Sequence, residues 1–118
     1  MAKFRFQDLE IWKLAIEIAN ELFIIADELE KRRLYRFAEQ LRGSGMSMPN
    51  NISEGSGSSS KKDFSRFLDI AKRSTFENAN ILILLEMRRL ITEAKKGTLL
   101  DKLDLLCRKI TTFQRTLK

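Results

Sequence analysis

The chain has 118 residues, of which 43% are hydrophobic, and carries a formal net charge of +6 at pH 7. This length is enough for one domain with a buried core but too short for two, and the apolar content is too high for a disordered chain. No apolar run reaches the roughly 18 residues that a membrane span needs, and the opening lacks the apolar core of a secretory signal. We therefore expect one cytoplasmic domain of 1–118. Cys107, the single cysteine, follows Leu105 and Leu106 and is expected to be a buried, inert thiol.

Charge is distributed unevenly along the chain. Residues 1–30 carry three basic and seven acidic side chains, whereas residues 31–118 carry 19 basic and nine acidic ones. A basic body with an acidic first segment fits contact with nucleic acid, complementary packing between subunits, or solubility alone. The charge pattern leaves these three interpretations open.

The first predicted helix spans about residues 8–30. Apolar residues recur at steps of three or four along it, which indicates one continuous helical face: Leu9, Trp12, Ile16, Ala19, Phe23, Ala26 and Leu29. Further apolar residues widen this stripe, namely Ile11, Leu14, Ala15, Ile18, Leu22, Ile24 and Ile25. A helix that is apolar nearly all round is buried on more than one side. We therefore expect its second side to face another subunit.

The second predicted helix spans about residues 34–55 and contains Pro49, the only proline. Proline inside a helix removes one backbone hydrogen bond and clashes with the carbonyl four residues earlier, which here belongs to Gly45. We therefore expect a helix that bends at Pro49, followed by a turn at residues 57–60.

The third predicted helix spans about residues 61–95. Ser60, followed three residues later by Asp63, is a typical helix-start signal. Two lysines and a glycine are typical of a helix C-terminus, so we expect Lys95, Lys96 and Gly97 to end this helix.

The fourth predicted helix spans about residues 98–117. Its apolar residues alternate at steps of four and three, as in a heptad seam: Leu99, Leu103, Leu106, Ile110, Phe113 and Leu117. Four helices joined by short loops predict an all-α fold, an antiparallel up-down-up-down four-helix bundle.

Three blocks of the sequence carry a resemblance to a known family. They are FQDLEIWKLAIEIANELF in the first helix, QLRGSGMSMPNNISEG in the second and KKDFSRFLDIAKRSTFE in the third. In this order they resemble the motifs of the four-helix-bundle family of 23S ribosomal RNA intervening-sequence proteins, and retroelement accessory proteins share a similar bundle. The resemblance implies a cytosolic bacterial protein of unknown function that forms a ring, typically a homopentamer. It also implies a suspected RNA-related role and no established enzymatic activity.

The resemblance extends to individual positions. The matching residues are Gln40, Arg42, Ser47, Pro49, Asn51, Glu54, Gly55, Phe64, Phe67, Leu68, Ala71, Ser74 and Glu77. Gly43 and Gly45 depart from residues that are commonly larger in the family, and Arg73 stands where the family usually has glycine.

A polar layer is expected between the second and third helices. Asn51 and Glu54 lie on the second helix, which should pack against Ser74, Glu77 and Asn78 on the third. Buried polar groups are normally hydrogen-bonded, so we expect these five side chains to satisfy one another. A ligand-binding or RNA-contact site and simple solvent exposure are the alternatives.

Catalytic patterns are missing from the sequence. There is no histidine, which removes the usual general base and any Ser-His-Asp arrangement. The Glu-x-x-His pairs of di-iron bundles are absent as well, and the GSGSSSK run lacks the spacing of a phosphate-binding loop. We therefore expect no enzymatic activity, no metal and no cofactor.

Basic residues cluster at three places near expected helix ends. These candidate nucleic-acid contacts are Lys31, Arg32, Arg33 and Arg36, then Lys61, Lys62 and Arg66, and finally Arg88, Arg89, Lys95 and Lys96. Alternating helix directions would place the first and third clusters at one end and the second at the other. Phosphate contact and ordinary solvated helix ends both explain such clusters.

Two functions therefore remain open. One is a non-catalytic RNA or ribonucleoprotein accessory factor that acts as an oligomeric basic scaffold. The other is a protein–protein interaction scaffold with no direct role in nucleic-acid binding.

Overall fold

The computed structural model describes residues 1–118, and every regular element in it is helical. A short 3-10 turn at Arg5–Asp8 precedes four α-helices, which are α1 (Glu10–Lys31), α2 (Tyr35–Ser56), α3 (Lys61–Met87) and α4 (Glu93–Arg115). The four helices enclose one hydrophobic core, which confirms the all-α four-helix fold. None of the helices is long and apolar enough to cross a membrane.

Hydrogen bonds between α2 and α3 define the direction of that pair. Ser44 on α2 bonds to Asn78 on α3, and Ser47, one turn later on α2, bonds to Ser74, one turn earlier on α3. As the residue numbers rise along α2, those of their bonding partners on α3 fall. The two helices are therefore antiparallel. The turn at residues 57–60 connects the two helices.

Salt bridges show the same order between α1 and α4. The Lys109 ammonium lies 3.6 Å from Glu10 at the start of α1, and the Lys102 ammonium lies 2.9 Å from Glu21, three turns further along. The turns at 32–34 and 88–92 therefore lie at the same end of the bundle. We call this end, comprising residues 31–36 and 88–96, the two-turn end.

The core follows the apolar stripes of the sequence. On α4 the seam residues Leu99, Leu103, Leu106 and Ile110 are buried, while Phe113 and Leu117 are partly buried against the core. This confirms the stripe predicted for the fourth helix. Cys107 is only half-buried, so the expected burial of its thiol was wrong.

Two glycines let α2 approach its neighbours closely. A Cβ added at Gly55 would lie 2.8 Å from atoms of both Phe64 and Phe67 on α3, and one at Gly45 would lie 3.2 Å from Leu22 on α1. Real Cβ atoms are not found at 2.8 Å from such neighbours. Glycine at position 55 is therefore required by the packing of α2 on α3.

Pro49 is buried inside α2, which continues from Tyr35 to Ser56 without interruption. The assignment of residues 43–55 to a helix is thus confirmed, whereas the bend at Pro49 stays a prediction. The expected start of the third helix is also confirmed, because the Ser60 hydroxyl accepts a hydrogen bond of 3.0 Å from the Asp63 backbone N–H.

The expected boundary between the third and fourth helices was wrong. α3 ends at Met87, and Arg89 then adopts a left-handed conformation with φ of 58°. α4 begins at once after Thr92, whose hydroxyl accepts a hydrogen bond of 3.0 Å from the Lys95 N–H. This cap outweighs the helix-ending signal of the Lys-Lys-Gly segment, since one interior glycine costs only about 1 kcal/mol relative to alanine. Gly97 therefore lies inside α4 instead of ending α3.

The surroundings of two helical glycines predict opposite effects of alanine. A Cβ at Gly97 would meet nothing within 4 Å, so Gly97→Ala should raise the free energy of unfolding by about 0.5–1 kcal/mol through better helix propensity. Gly55→Ala should lower it by about 1–3 kcal/mol, because the Phe64 ring and the Phe67 Cβ must both move away. Urea denaturation of both variants measures the difference. A Gly55→Ala protein as stable as Gly97→Ala would contradict the close approach of α2 to α3.

Candidate nucleic-acid interface

The structure places the three predicted basic clusters at the two ends of the bundle. Lys61, Lys62 and Arg66 lie where α3 begins, at the end that holds the 57–60 turn. The remaining cations all lie at the two-turn end: Lys31, Arg32, Arg33, Arg36, Arg88, Arg89, Lys95 and Lys96. This is the distribution expected from alternating helix directions.

Three of these cations are neutralised by a neighbouring carboxylate. The pairs are Lys31 with Glu28, Arg66 with Asp63, and Lys96 with Glu86, at distances between 2.9 and 3.1 Å. The hydrogen bond to Glu86 raises the pKa of Lys96, although partial desolvation acts in the opposite direction. The Lys96 ammonium is therefore occupied by its salt bridge to Glu86.

The other cations are exposed and have no carboxylate within salt-bridge distance. They are Arg32, Arg33, Arg36, Arg88, Arg89 and Lys95 at the two-turn end, and Lys61 and Lys62 at the opposite end. Most of the predicted cations that lack a carboxylate partner therefore lie at the two-turn end, while Arg5, Arg115 and Lys118 are further exposed cations without such a partner at the opposite end.

A polar layer does lie between α2 and α3. The Ser44 hydroxyl donates to Oδ1 of the fully buried Asn78 at 2.6 Å, and the Asn78 amide donates to the carbonyls of Ser44 and Ser74. The hydroxyls of Ser47 and Ser74 are 2.7 Å apart, and the Asn51 amide donates to the Ser47 carbonyl at 2.8 Å. No buried side-chain polar atom in the protein lacks a partner. The layer therefore satisfies itself internally.

The predicted membership of this layer was partly wrong. The side chains of Glu54 and Glu77 are exposed and form no hydrogen bond or salt bridge. A carboxylate buried among neutral groups would lose its hydration without compensation, which explains why both stay at the surface. Ser44 and Ser47 take part in the layer but were not predicted. Their spacing from Asn51, at steps of three and four, was the sequence signal that could have identified them.

Arg42 joins α2 to α1 on the surface. Its guanidinium lies 2.8 Å from both Asp27 and Glu30 on α1 and 3.0 Å from Glu39 on its own helix. The hydrogen bond to Asp27, followed by that to Glu30, raises the pKa of Arg42 further above its ordinary value. This arginine is therefore occupied in holding two helices together.

The chain matches the family described as 23S rRNA-intervening sequence protein over residues 7–112. It belongs to this family. The matched residues span α1, α2, α3 and nearly all of α4. None of the curated proteins matches the chain.

Residues that resemble the motifs of the 23S rRNA-intervening sequence family are used here for contacts between helices. Arg42 binds α1, Ser47 and Ser74 bond to each other, and Gly55 allows α3 to approach. Arg73, which departs from the usual glycine, is exposed on α3. The shared motifs thus maintain the fold, whereas the unpaired cations of the two-turn end lie outside the three sequence blocks.

Replacing the two asparagines of the polar layer should have unequal effects on stability. Asn78→Ala removes the 2.6 Å partner of the buried Ser44 hydroxyl, which keeps only a 3.4 Å contact with the Leu41 carbonyl, and leaves a cavity. It should lower the free energy of unfolding by about 2–4 kcal/mol. Asn51 is half-buried and bonds only within its own helix, so Asn51→Ala should cost about 0.5–1.5 kcal/mol. Thermal or urea denaturation measures both. Full stability of both variants would contradict a structural role for the layer.

Proposed function

We propose that this protein is a non-catalytic, oligomeric RNA or ribonucleoprotein accessory factor of the cytoplasm that contacts phosphates through its two-turn end. The observation that carries this proposal is the group of exposed cations at that end without carboxylate partners. Such cations neutralise phosphates and release counterions, which provides most of the affinity of non-specific binding to nucleic acids. Cations already held in salt bridges would have to break them first.

Charge and shape, not base sequence, should govern this binding. Tyr35 is the only aromatic residue within 31–36 and 88–96, whereas sequence-specific RNA recognition depends on several aromatic platforms and on contacts with base edges. We therefore propose contact with the RNA backbone and no strong sequence preference.

We assign no catalytic step to the protein. The groups with clearly shifted pKa values are Asp8, Arg42, Lys96 and Lys102. In each case a hydrogen bond to an oppositely charged partner is the largest cause. Catalytic groups more often owe a shifted pKa to burial or to a like charge in a cleft. These shifts are what structural salt bridges produce.

Assembly into a ring, the pentamer that the family resemblance implies, is the second part of the proposal. Ile16 and Ile24 on α1 are 40% and 55% exposed, and Phe76 and Met87 on α3 are each 71% exposed. α1 and α3 are not adjacent in the bundle, so their exposed apolar faces lie on different sides of it. Two different faces that pack together form a head-to-tail interface, which closes into a ring when the rotation permits. A ring would repeat the two-turn end and strengthen its field.

A salt titration tests the RNA-binding part of this proposal. Affinity for RNA should fall linearly with salt on a double-logarithmic plot, with a slope of about −0.7 to −0.9 for each phosphate contact. Fluorescence anisotropy between roughly 50 and 200 mM salt covers the informative range. No binding at low salt, or an affinity independent of salt, would reject phosphate contact.

Light scattering tests the assembly. The native protein should have several times the mass of one chain, and both Ile24→Glu and Phe76→Glu should reduce it, because each buries a charge in an apolar contact. Thr112→Glu on the exposed face of α4 is the matched control and should leave the mass unchanged. A monomeric native protein would contradict the proposal.

A protein–protein interaction scaffold is the second candidate function. It is favoured by the exposed apolar residues along α3, which are Phe76, Ile83, Leu84 and Met87. Purification from the native host with and without nuclease distinguishes the two candidates. A protein partner that is retained after nuclease treatment supports the scaffold, whereas co-purifying RNA that nuclease removes supports the accessory factor.

A further inference from the structure

The two turns at the two-turn end repeat the same sequence. Residues 29–34 read LEKRRL and residues 85–90 read LEMRRL, so both hexapeptides have the form L-E-x-R-R-L. The first hexapeptide ends α1 and the second ends α3. We call them the LExRRL turns.

The two turns also have the same backbone geometry. In the first, the Leu34 N–H donates to the Leu29 carbonyl and the Arg33 N–H donates to the Glu30 carbonyl, both at 2.9 Å. In the second, the corresponding bonds join Leu90 to Leu85 and Arg89 to Glu86, both at 2.8 Å. These paired bonds define a Schellman motif, which ends a helix through one residue in the left-handed conformation.

The motif explains the leucines of the repeat. Leu29 and Leu85 are buried in the core, and Leu34 and Leu90 pack against it. A hydrophobic contact across the end of the helix commonly accompanies a Schellman motif. These four residues are therefore required by the fold.

The fold does not explain the arginines. Arg33 and Arg89 have φ of 65° and 58° and are the only non-glycine residues with positive φ, although glycine adopts this conformation without steric cost. Neither arginine forms a salt bridge or a side-chain hydrogen bond within the molecule, and the preceding Arg32 and Arg88 form none either. The helix end requires a left-handed residue but not an arginine there, and a non-glycine residue held in this conformation is a reason to look for function.

The glutamates of the repeat do not neutralise these arginines. Glu30 binds Arg42 on α2 at 2.8 Å, and Glu86 binds Lys96 on α4 at 2.9 Å. In both turns the acid is thus occupied by a cation of the following helix. The arginine pairs are left free for an external anion.

Building on the RNA-accessory function, we propose that the LExRRL turns form a two-point clamp for a single RNA backbone. Arg32 and Arg33 hold one stretch of phosphates, while Arg88 and Arg89 hold a second stretch. Arginine suits this role because its guanidinium binds phosphate oxygens in a bidentate manner. Both turns lie on one end of a body whose cross-section measures 30 × 20 Å.

The clamp predicts a dependence on RNA length. An oligonucleotide too short to extend from one turn to the other contacts only one arginine pair. Longer RNA reaches both, and the second contact then benefits from a high effective concentration. An oligouridylate of about 20 nucleotides should bind at least about tenfold more tightly than one of about five.

The double variant Arg33→Gly/Arg89→Gly tests the clamp without endangering the fold. Glycine relieves the left-handed backbone, so the melting temperature should stay the same or rise. Affinity for the 20-nucleotide RNA should fall at least about tenfold at 0.1 M salt, and the salt slope should become shallower by about 1.4. The control Lys61→Gln/Lys62→Gln removes the same charge from the opposite end and should change the affinity less than threefold.

The possible results separate the clamp from the broader function. The clamp is wrong, and the accessory function stands, if the native protein binds RNA but the glycine variant binds it equally well. The same holds if the glycine variant loses no more affinity than the lysine control. If the native protein binds no RNA at low salt, both fail. A selective loss in the glycine variant, together with the length dependence, supports the clamp.

Discussion

The hydrogen bonds between Ser44 and Asn78 set the alignment of α2 with α3, on which the rest of the bundle depends. Asn78 is fully buried, and its amide and carbonyl oxygen both find partners on α2. Sliding one helix along the other would leave these groups unpaired in an apolar interior, at a cost of about 1–3 kcal/mol for each. The apolar contacts of the same interface are less directional. The polar layer thus favours the observed register of α2 against α3.

This register has consequences along the whole of α2. It places Gly55 against the ring of Phe64 and the Cβ of Phe67, where no side chain fits. Arg42, further back on α2, meets the acidic end of α1. Positions resembling the family motifs are therefore used to hold helices together, and the free positive charge of the two-turn end lies outside those motifs. Structure and proposed function use different parts of the sequence.

Periodicity and composition were sufficient to predict four helices, the seam of α4 and the cap at Ser60, because each depends on local spacing. The boundary between α3 and α4 was misplaced because the Lys-Lys-Gly signal competes with the Thr92 cap, and spacing does not tell which is stronger. Glu54 and Glu77 were assigned to the polar layer because which polar side chain faces inward depends on the register between helices. The L-E-x-R-R-L repeat can be read in the sequence, but the positive φ of Arg33 and Arg89 required a structure.

A double-mutant cycle on Ser44 and Asn78 tests the central claim, that this hydrogen bond sets the alignment of α2 and α3. The free energy of unfolding is measured for the native protein, Ser44→Ala, Asn78→Ala and the double variant. If the hydroxyl and the amide interact as the structure shows, the sum of the two single losses of stability should exceed the loss in the double variant by about 1 kcal/mol or more. Effects that add to within about 0.3 kcal/mol would contradict the account.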